Sequence, residues 1–168
     1  GQVTDIQLSL RDSGAGPVTV WYAALEAVPA PARGLVSLVF DDARDGVFYY
    51  ALPLARRLGI QASVAAIVDL VGQPTFMTVE QLRIAERFGG WEVIAHHTTP
   101  LEEGGFDPLA PADLAAELAG VKGWLLDNGF RHGADVIAYP YGGFYGAPLR
   151  QVRGYFAAGG AVMATQGL

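Results

Sequence analysis

Apolar and polar positions follow a repeating pattern from residue 34 onward. Short apolar runs, which predict strands, alternate with segments whose apolar residues recur at helical spacing. The predicted strands cover residues 35–42, 61–71, 91–95, 135–143 and 161–165. The predicted helices cover residues 47–59, 78–90, 111–129 and 148–160. Strands and helices that alternate in this way predict an α/β fold with a parallel sheet made of right-handed βαβ units.

The number of these units limits the kind of α/β fold. About five units are too few for a closed barrel of eight. We therefore expect an incomplete or distorted (β/α) barrel in a domain covering residues 34–168, and we expect that domain to be cut short at its C-terminal end.

The first 33 residues follow a different pattern. Apolar residues alternate with polar ones in "VTDIQLSLRD", a turn-forming "SGAGP" follows, and "VTVWYAALEAV" again resembles a strand, so residues 1–28 predict a β-hairpin. The prolines of "PAPAR" (29–33) then predict a linker. Because an isolated hairpin is only marginally stable, it either docks on the main domain or ends a preceding β-sandwich domain. We expect the second arrangement, within a larger multidomain chain.

Composition narrows the classes of partner. A net charge of −6 and a pI near 4.9 leave no basic surface for nucleic acid. The chain has no cysteine, so any protein-bound metal would be held by His, Asp or Glu. It contains neither a membrane-spanning apolar run nor a signal-peptide pattern.

Three predicted strand ends carry residues suited to chemistry: Asp41 and Asp42, His96 and His97, and the segment 139–141. Ligands of parallel α/β folds bind at the carboxyl ends of strands, where these residues would meet. One aspartate could bind a metal while the other acts as a general base. The alternatives are a solvated turn for the aspartates, hydrogen-bonded structural histidines and a packed proline-glycine loop.

Around these strand ends the sequence resembles the polysaccharide deacetylase family with the NodB homology domain. The resemblance runs from Gly34 to about Leu168 and includes "LVFDD", "MTVEQLR" before "WEVIAHH", and "AYPYGG" before "FAAGGAVMATQG". It implies a distorted, incomplete (β/α) barrel. It also implies removal of N-acetyl groups from an amino-sugar polymer such as peptidoglycan, chitin or poly-N-acetylglucosamine, with a divalent metal bound by one aspartate and two histidines.

Carried onto this chain, the resemblance implies that Asp41 is the catalytic base, and that Asp42 and His96 bind the metal. Zinc is the expected ion, with cobalt and nickel as alternatives. The family's second metal histidine stands four residues after the first, at a position occupied here by Pro100. His97 could replace it only if the loop were shortened, because neighbouring residues on an extended strand point to opposite sides. The loop acids that could complete the site instead are Glu102, Glu103 and Asp107.

The third motif implies an oxyanion-binding backbone N–H at Tyr141, while the arginine that commonly orients the base is replaced by Ala138. Candidates for contact with sugar rings, which could equally pack within loops, are Trp91, Tyr139, Pro140, Tyr141, Phe144 and Tyr145. His132 precedes the fourth predicted strand, at the end opposite the site, and we expect it at the surface.

The family's last motif, a Leu-x-Leu-His that supplies a general acid, has no counterpart before Leu168. Two functions therefore remain open. One is a metal-dependent deacetylase. The other is a deacetylase-like module without metal that binds glycans or serves as structure in a larger cell-surface or phage tail protein. The expected partner is a polysaccharide or other glycan, and the expected location is outside the cell, in the cell envelope or on a virion.

Overall fold

The computed structural model of the protein describes residues 36–142 and 146–160. The predicted hairpin and linker (1–33) and the predicted strand 161–165 lie outside the described residues. Phe144 and Tyr145 lie outside them as well.

Five parallel strands form one sheet in this part of the chain, and each strand lies beside the next one in sequence. They are β1 (Val39–Phe40), β2 (Ser63–Ile67), β3 (Glu92–His97), β4 (Val136–Ala138) and β5 (Ala158–Gly160). Strands in sequential order are typical of the wall of a (β/α) barrel, whereas a doubly wound sheet reverses its order at a switch point. The predicted α/β class is therefore confirmed, and the sheet forms half of a barrel.

Helices connect successive strands. They are α1 (Leu52–Leu58), α2 (Val79–Gly89), α3 (Pro111–Asp127) and α4 (Gly146–Val152). A π-helical turn (Val47–Ala51) leads into α1, and short 3₁₀ turns follow β2 (Val68–Leu70) and β4 (Pro140–Gly142).

The helix ends follow the signals in the sequence. Thr78 begins α2 with a capping box, in which its side chain and that of Gln81 each accept a hydrogen bond from the other residue's backbone N–H. Gly59 and Gly90 end α1 and α2 with left-handed φ angles of 66° and 67°, a conformation that glycine adopts at little cost. Pro111 occupies the first turn of α3, where it displaces no helical hydrogen bond.

The helix predicted up to residue 160 is wrong at its end, because Ala158–Gly160 forms a strand that pairs with β4. The helix has already ended near Val152, whose carbonyl accepts the N–H groups of Tyr155 and Phe156. A Cβ on Gly159 would lie 2.5 Å from the Tyr139 ring. The glycine therefore marks a strand position covered closely by a neighbouring ring.

The core packs the sheet against the helices. The apolar face predicted for α3 is confirmed, because Leu114, Leu118, Val121 and Leu125 are all buried. Large side chains from the loops, including Phe106 and Phe130, complete the core. Within the described residues, no helix combines the length and apolar character that crossing a membrane requires.

Candidate active site

A cavity of about 410 Å³ opens at the carboxyl end of the sheet. Its lining comes from the segments that follow β1, β2 and β4 and from the end of β3. The lining residues are Asp41, Asp42, Arg44, Ile67, Leu70, His96, His97, Pro100, Leu101 and Tyr141. The predicted meeting of three strand ends therefore occurs in the structure, and both aspartates and both histidines share one cavity.

The turn after β1 places two aspartates differently. Asp41 is exposed, whereas Asp42 is half-buried. Asp42 and Ala43 have left-handed φ angles of 67° and 53°, a conformation that side-chain-bearing residues rarely adopt. The turn directs Asp42 Oδ1 toward His96 Nε2 at 3.7 Å, while Oδ2 lies 3.7 Å from Arg44 Nε. Strained backbone of this kind is common at functional sites.

His96 has a fixed ring orientation. It is buried, and its Nδ1 lies 2.8 Å from the carbonyl oxygen of Ala138 on the adjacent strand. A carbonyl only accepts hydrogen bonds, so Nδ1 carries the proton and donates it. Nε2 therefore presents its lone pair toward Asp42, the arrangement typical of a histidine that binds a metal.

His97 faces the same cavity because β3 contains a β-bulge. The pairing with β2 runs from Ala66 with Ala95 directly to Ile67 with His97, so His96 is an extra residue. A bulge interrupts the alternation of side chains along a strand. The two imidazole rings consequently lie with their centroids 4.6 Å apart and both line the cavity. A bulge within the strand, and not a shortened loop, therefore brings His97 to the cavity.

The environment of His97 keeps its ring neutral. Burial, and next the neighbouring His96, lower the pKa of His97 to about 4, although Thr99, Glu117 and Asp42 oppose this shift. Its Nδ1 lies 2.5 Å from the Thr99 carbonyl oxygen and must donate to it. The lone pair of His97 is therefore on Nε2, as in His96.

The residues of the cavity fit part of a metal site. Two ligands on one tetrahedral zinc ion lie about 3.3 Å apart, so the 3.7 Å between Asp42 Oδ1 and His96 Nε2 needs only a small adjustment. Among the residues that the structure describes, however, no three His, Asp or Glu side chains are grouped closely enough to hold an ion. The Asp42–His96 pair thus fits a metal, but no third protein ligand among the described residues lies close enough to share it.

The opposite wall of the cavity is formed by two loops in contact. Tyr141 has a left-handed φ of 56° and donates from its hydroxyl to the Leu101 carbonyl at 3.1 Å. Gly105 packs so tightly against Pro140 that a Cβ there would lie 2.5 Å from the Pro140 carbonyl oxygen. These contacts hold the loop after β3 against the turn after β4.

Several residues predicted at the site lie elsewhere. Trp91 is buried, stacks on Phe40 with ring centroids 5.3 Å apart, and precedes β3 at the end opposite the histidines. Tyr139 lines a second cavity of about 390 Å³ with Leu149 and Phe156, and burial raises its pKa. Pro140 is buried against Gly105. None of the three lines the cavity that holds the histidines, and their contact with sugar rings stays a prediction.

The loop acids proposed as alternative metal ligands are also placed away from the site. Glu102, Glu103 and Asp107 are exposed and do not line the cavity, because the loop directs them to solvent. His132 is exposed, as predicted, and precedes β4.

The sequence patterns did not single out two residues that lie at or beside the cavity. Arg44 lines the cavity and lies over the Phe76 ring at 4.2 Å, a contact between residues distant in sequence. Glu117 is buried and hydrogen-bonds the segment that follows His97. A signal for Glu117 exists, because this acid lies on the apolar stripe of α3 between Leu114 and Leu118.

The chain resembles known proteins in sequence and fold. It is 28% identical over 135 residues to YxkH of Bacillus subtilis (strain 168), whose name assigns it to the polysaccharide deacetylases. The match covers 79% of this chain and 47% of YxkH, so the chain spans about half the length of that relative. A comparison with models of protein families finds no match.

Solved structures of similar fold include two that contain acetate. The Streptococcus pyogenes deacetylase PplD matches with a TM-score of 0.67 and 22% identity, over 76% of this chain and 55% of that one. A family 4 carbohydrate esterase from Streptomyces lividans matches with a TM-score of 0.58 and 23% identity, over 74% of this chain and 61% of that one.

The fold is the distorted (β/α) barrel of the family 4 carbohydrate esterases. With its match to YxkH and the Phe-Asp-Asp at the end of β1, this chain is similar in sequence to the polysaccharide deacetylases.

Proposed function

We propose that this chain hydrolyses N-acetyl groups of an amino-sugar polymer of the peptidoglycan, chitin or poly-N-acetylglucosamine class. The observation that carries the proposal is that Asp41, Asp42, His96 and His97 line one cavity. Acetate, the expected product, is present in the structures of two proteins of similar fold. The proposal follows the family and adds His97 as a replacement for the histidine missing at Pro100.

In the proposed mechanism, Asp42, His96 and His97 would hold a divalent metal, with one carboxylate and two Nε2 atoms as the donors. When bound, such an ion polarises the acetamide carbonyl and lowers the pKa of water. Asp41, exposed at the cavity wall, accepts the proton of the water that attacks the carbonyl carbon. The backbone N–H of Tyr141 donates to the developing oxyanion. As the amide C–N bond breaks, Asp41 returns this proton to the nitrogen, which leaves as an amine, and the acetyl group leaves as acetic acid, which loses its proton to solvent as acetate.

The choice of His97 rests on its position and tautomer. It lines the cavity beside His96, and its Nδ1 is occupied by Thr99, which leaves Nε2 for the ion. Asp42 lies near enough to raise the pKa of His97, although burial lowers that pKa by more. Movement of the His97 ring toward the Asp42–His96 pair would supply the third ligand that zinc sites require. Zinc is proposed ahead of cobalt and nickel because it accepts this donor set in tetrahedral geometry.

Release of acetate from N-acetylglucosamine oligomers tests the proposal. The purified chain would be assayed with added zinc, cobalt or nickel beside Asp41→Asn and, as a control, His132→Gln at an exposed position away from the cavity. We expect Asp41→Asn to reduce the rate by at least about 100-fold, the usual contribution of a general base, and His132→Gln to leave it unchanged. Equal rates in the wild-type chain and Asp41→Asn would refute the proposed role of Asp41.

One observation favours a second function. The described residues contain no group of three His, Asp or Glu side chains around a common point, as expected of a deacetylase-like module that binds glycan without cleaving it. Oligomer binding that persists in a chelator, together with no acetate release under any of the three metals, would favour this function over hydrolysis. The proposed setting, in either case, is the cell envelope, the cell exterior or a virion.

A further inference from the structure

We propose that Glu117 is a positioning residue that fixes the tautomer and orientation of the His97 ring. Glu117 lies on α3, is buried, and does not line the cavity. It acts through the two residues that follow His97 in the chain. The inference deepens the proposed function, because His97 is there the replacement metal ligand.

The carboxylate of Glu117 binds the backbone directly after β3. Its Oε2 accepts hydrogen bonds from the N–H groups of Thr98 and Thr99, at 2.8 and 3.0 Å. Its Oε1 accepts a bond from the Thr99 hydroxyl at 2.6 Å. Hydrogen bonds to a charged carboxylate are stronger than neutral ones, so three of them hold this segment against α3.

Further hydrogen bonds to α3 and to the turn after β2 restrain the same segment. The Thr98 hydroxyl donates to the Glu117 carbonyl at 2.9 Å, and the Thr98 carbonyl accepts the N–H of Asp69 at 3.0 Å. The helix approaches closely at this point because residue 120 is glycine, where a Cβ would lie 2.6 Å from the Thr98 hydroxyl. The segment is thus held between α3 and the turn after β2.

The consequence for His97 follows from the acceptor that its ring uses. The Thr99 carbonyl accepts a hydrogen bond from the His97 Nδ1–H at 2.5 Å. Glu117 holds Thr99 in place through the N–H and the hydroxyl of that residue. A histidine that donates from Nδ1 keeps its lone pair on Nε2. Glu117 therefore selects the nitrogen that His97 presents to the cavity, without touching the ring.

The direct test is the tautomer of each histidine, read from long-range ¹H–¹⁵N spectra of the metal-free protein. The chain has three histidines, assigned by single His→Gln variants. In the wild-type chain we expect His96 and His97 both to be protonated on Nδ1, and exposed His132 to show the averaged shifts of exchanging tautomers. In Glu117→Ala we expect His97 alone to move toward the averaged shifts of His132.

Three further variants remove different parts of the Glu117 contact or leave it intact. Glu117→Gln retains an oxygen that can accept both backbone N–H groups, so the His97 shifts should remain close to wild type. Thr99→Val removes only the hydroxyl bond and should move the His97 shifts part of the way. Asp113→Ala, one helical turn before Glu117 on the same helix and exposed, is the matched control and should change nothing.

The outcomes separate this inference from the proposed function. Wild-type His97 shifts in both Glu117→Ala and Thr99→Val would overturn the positioning role, whatever the chain binds or hydrolyses. If the tautomer changes as expected, cobalt affinity should also fall on the order of 10-fold in Glu117→Ala, in line with other residues that orient metal-binding histidines. A chain that binds no cobalt at all would contradict the metal site while leaving the tautomer result intact.

Discussion

The contact between Gly105 and Pro140 determines whether the two loops of the cavity wall can meet, and Gly105→Ala tests it. The Cβ added by this substitution would lie 2.5 Å from the Pro140 carbonyl oxygen. Because that atom belongs to the backbone, the overlap cannot be relieved by rotating a side chain. The loops carrying Leu101 and Tyr141 would have to separate.

The expected loss has two parts. Gly105 has a left-handed φ of 58°, which costs a residue with a Cβ about 1 kcal/mol. Forcing an extra carbon into a packed contact adds about 1–3 kcal/mol. We therefore expect Gly105→Ala to lower the free energy of unfolding by about 2–4 kcal/mol.

Gly59→Ala is the matched control. Gly59 has a similar φ of 66°, but a Cβ there would meet no atom within 4 Å. It should cost only the backbone part, about 1 kcal/mol. Urea unfolding of both variants, compared through midpoint and slope, measures the difference. Losses that agree to within about 0.5 kcal/mol, the scatter expected of unrelated surface changes, would refute the close approach of the two loops.

Three further predictions concern His97, α3 and the misplaced tryptophan. With a chelator present, the wild-type chain should lose up to about 3 kcal/mol of stability relative to His97→Gln as the pH falls from 6.5 to 4. The reason is that His97 of the unfolded chain takes up a proton in this range, whereas the folded ring, with its pKa of about 4, does not. Urea midpoints of the two chains that change in parallel with pH would contradict this. Gly120→Ala should destabilise the chain by about 1–3 kcal/mol, because its Cβ displaces the Thr98 hydroxyl. Gly123→Ala, which meets open space on the same helix, should instead stabilise the chain by up to about 1 kcal/mol. Equal changes in the melting temperature of the two variants would show that the Thr98 contact is absent. Trp91→Phe should lower the stability of the chain but leave its affinity for N-acetylglucosamine oligomers, measured by calorimetry, unchanged. Weaker binding by the folded variant would show that Trp91 contacts the glycan.

The order of elements and the strand ends that form the site could be predicted from local patterns. The apolar alternation, the Thr78 cap and the glycine helix ends each depend on residues close in sequence. The convergence of Asp42 and His96 followed from the rule that parallel strands share a carboxyl edge. Such features need no knowledge of distant contacts.

The features that the sequence did not reveal depend on distant contacts. The bulge at His96 arises from the register between β2 and β3, and nothing in "WEVIAHH" specifies that register. The strand character of Ala158–Gly160 is defined by its pairing with β4, which lies 20 or more residues away in sequence. Trp91 could have been placed correctly, because it begins the strand whose other end carries the histidines.

The most direct test of the account is metal binding by the two adjacent histidines. Cobalt would be titrated into the metal-free chain and into His96→Gln, His97→Gln and His132→Gln, with visible absorption and calorimetry as readouts. We expect one equivalent of cobalt to bind to the wild-type chain and to His132→Gln, and binding to be strongly weakened in both His96→Gln and His97→Gln. Wild-type affinity in His97→Gln would contradict the central claim that the bulge recruits His97 into the site.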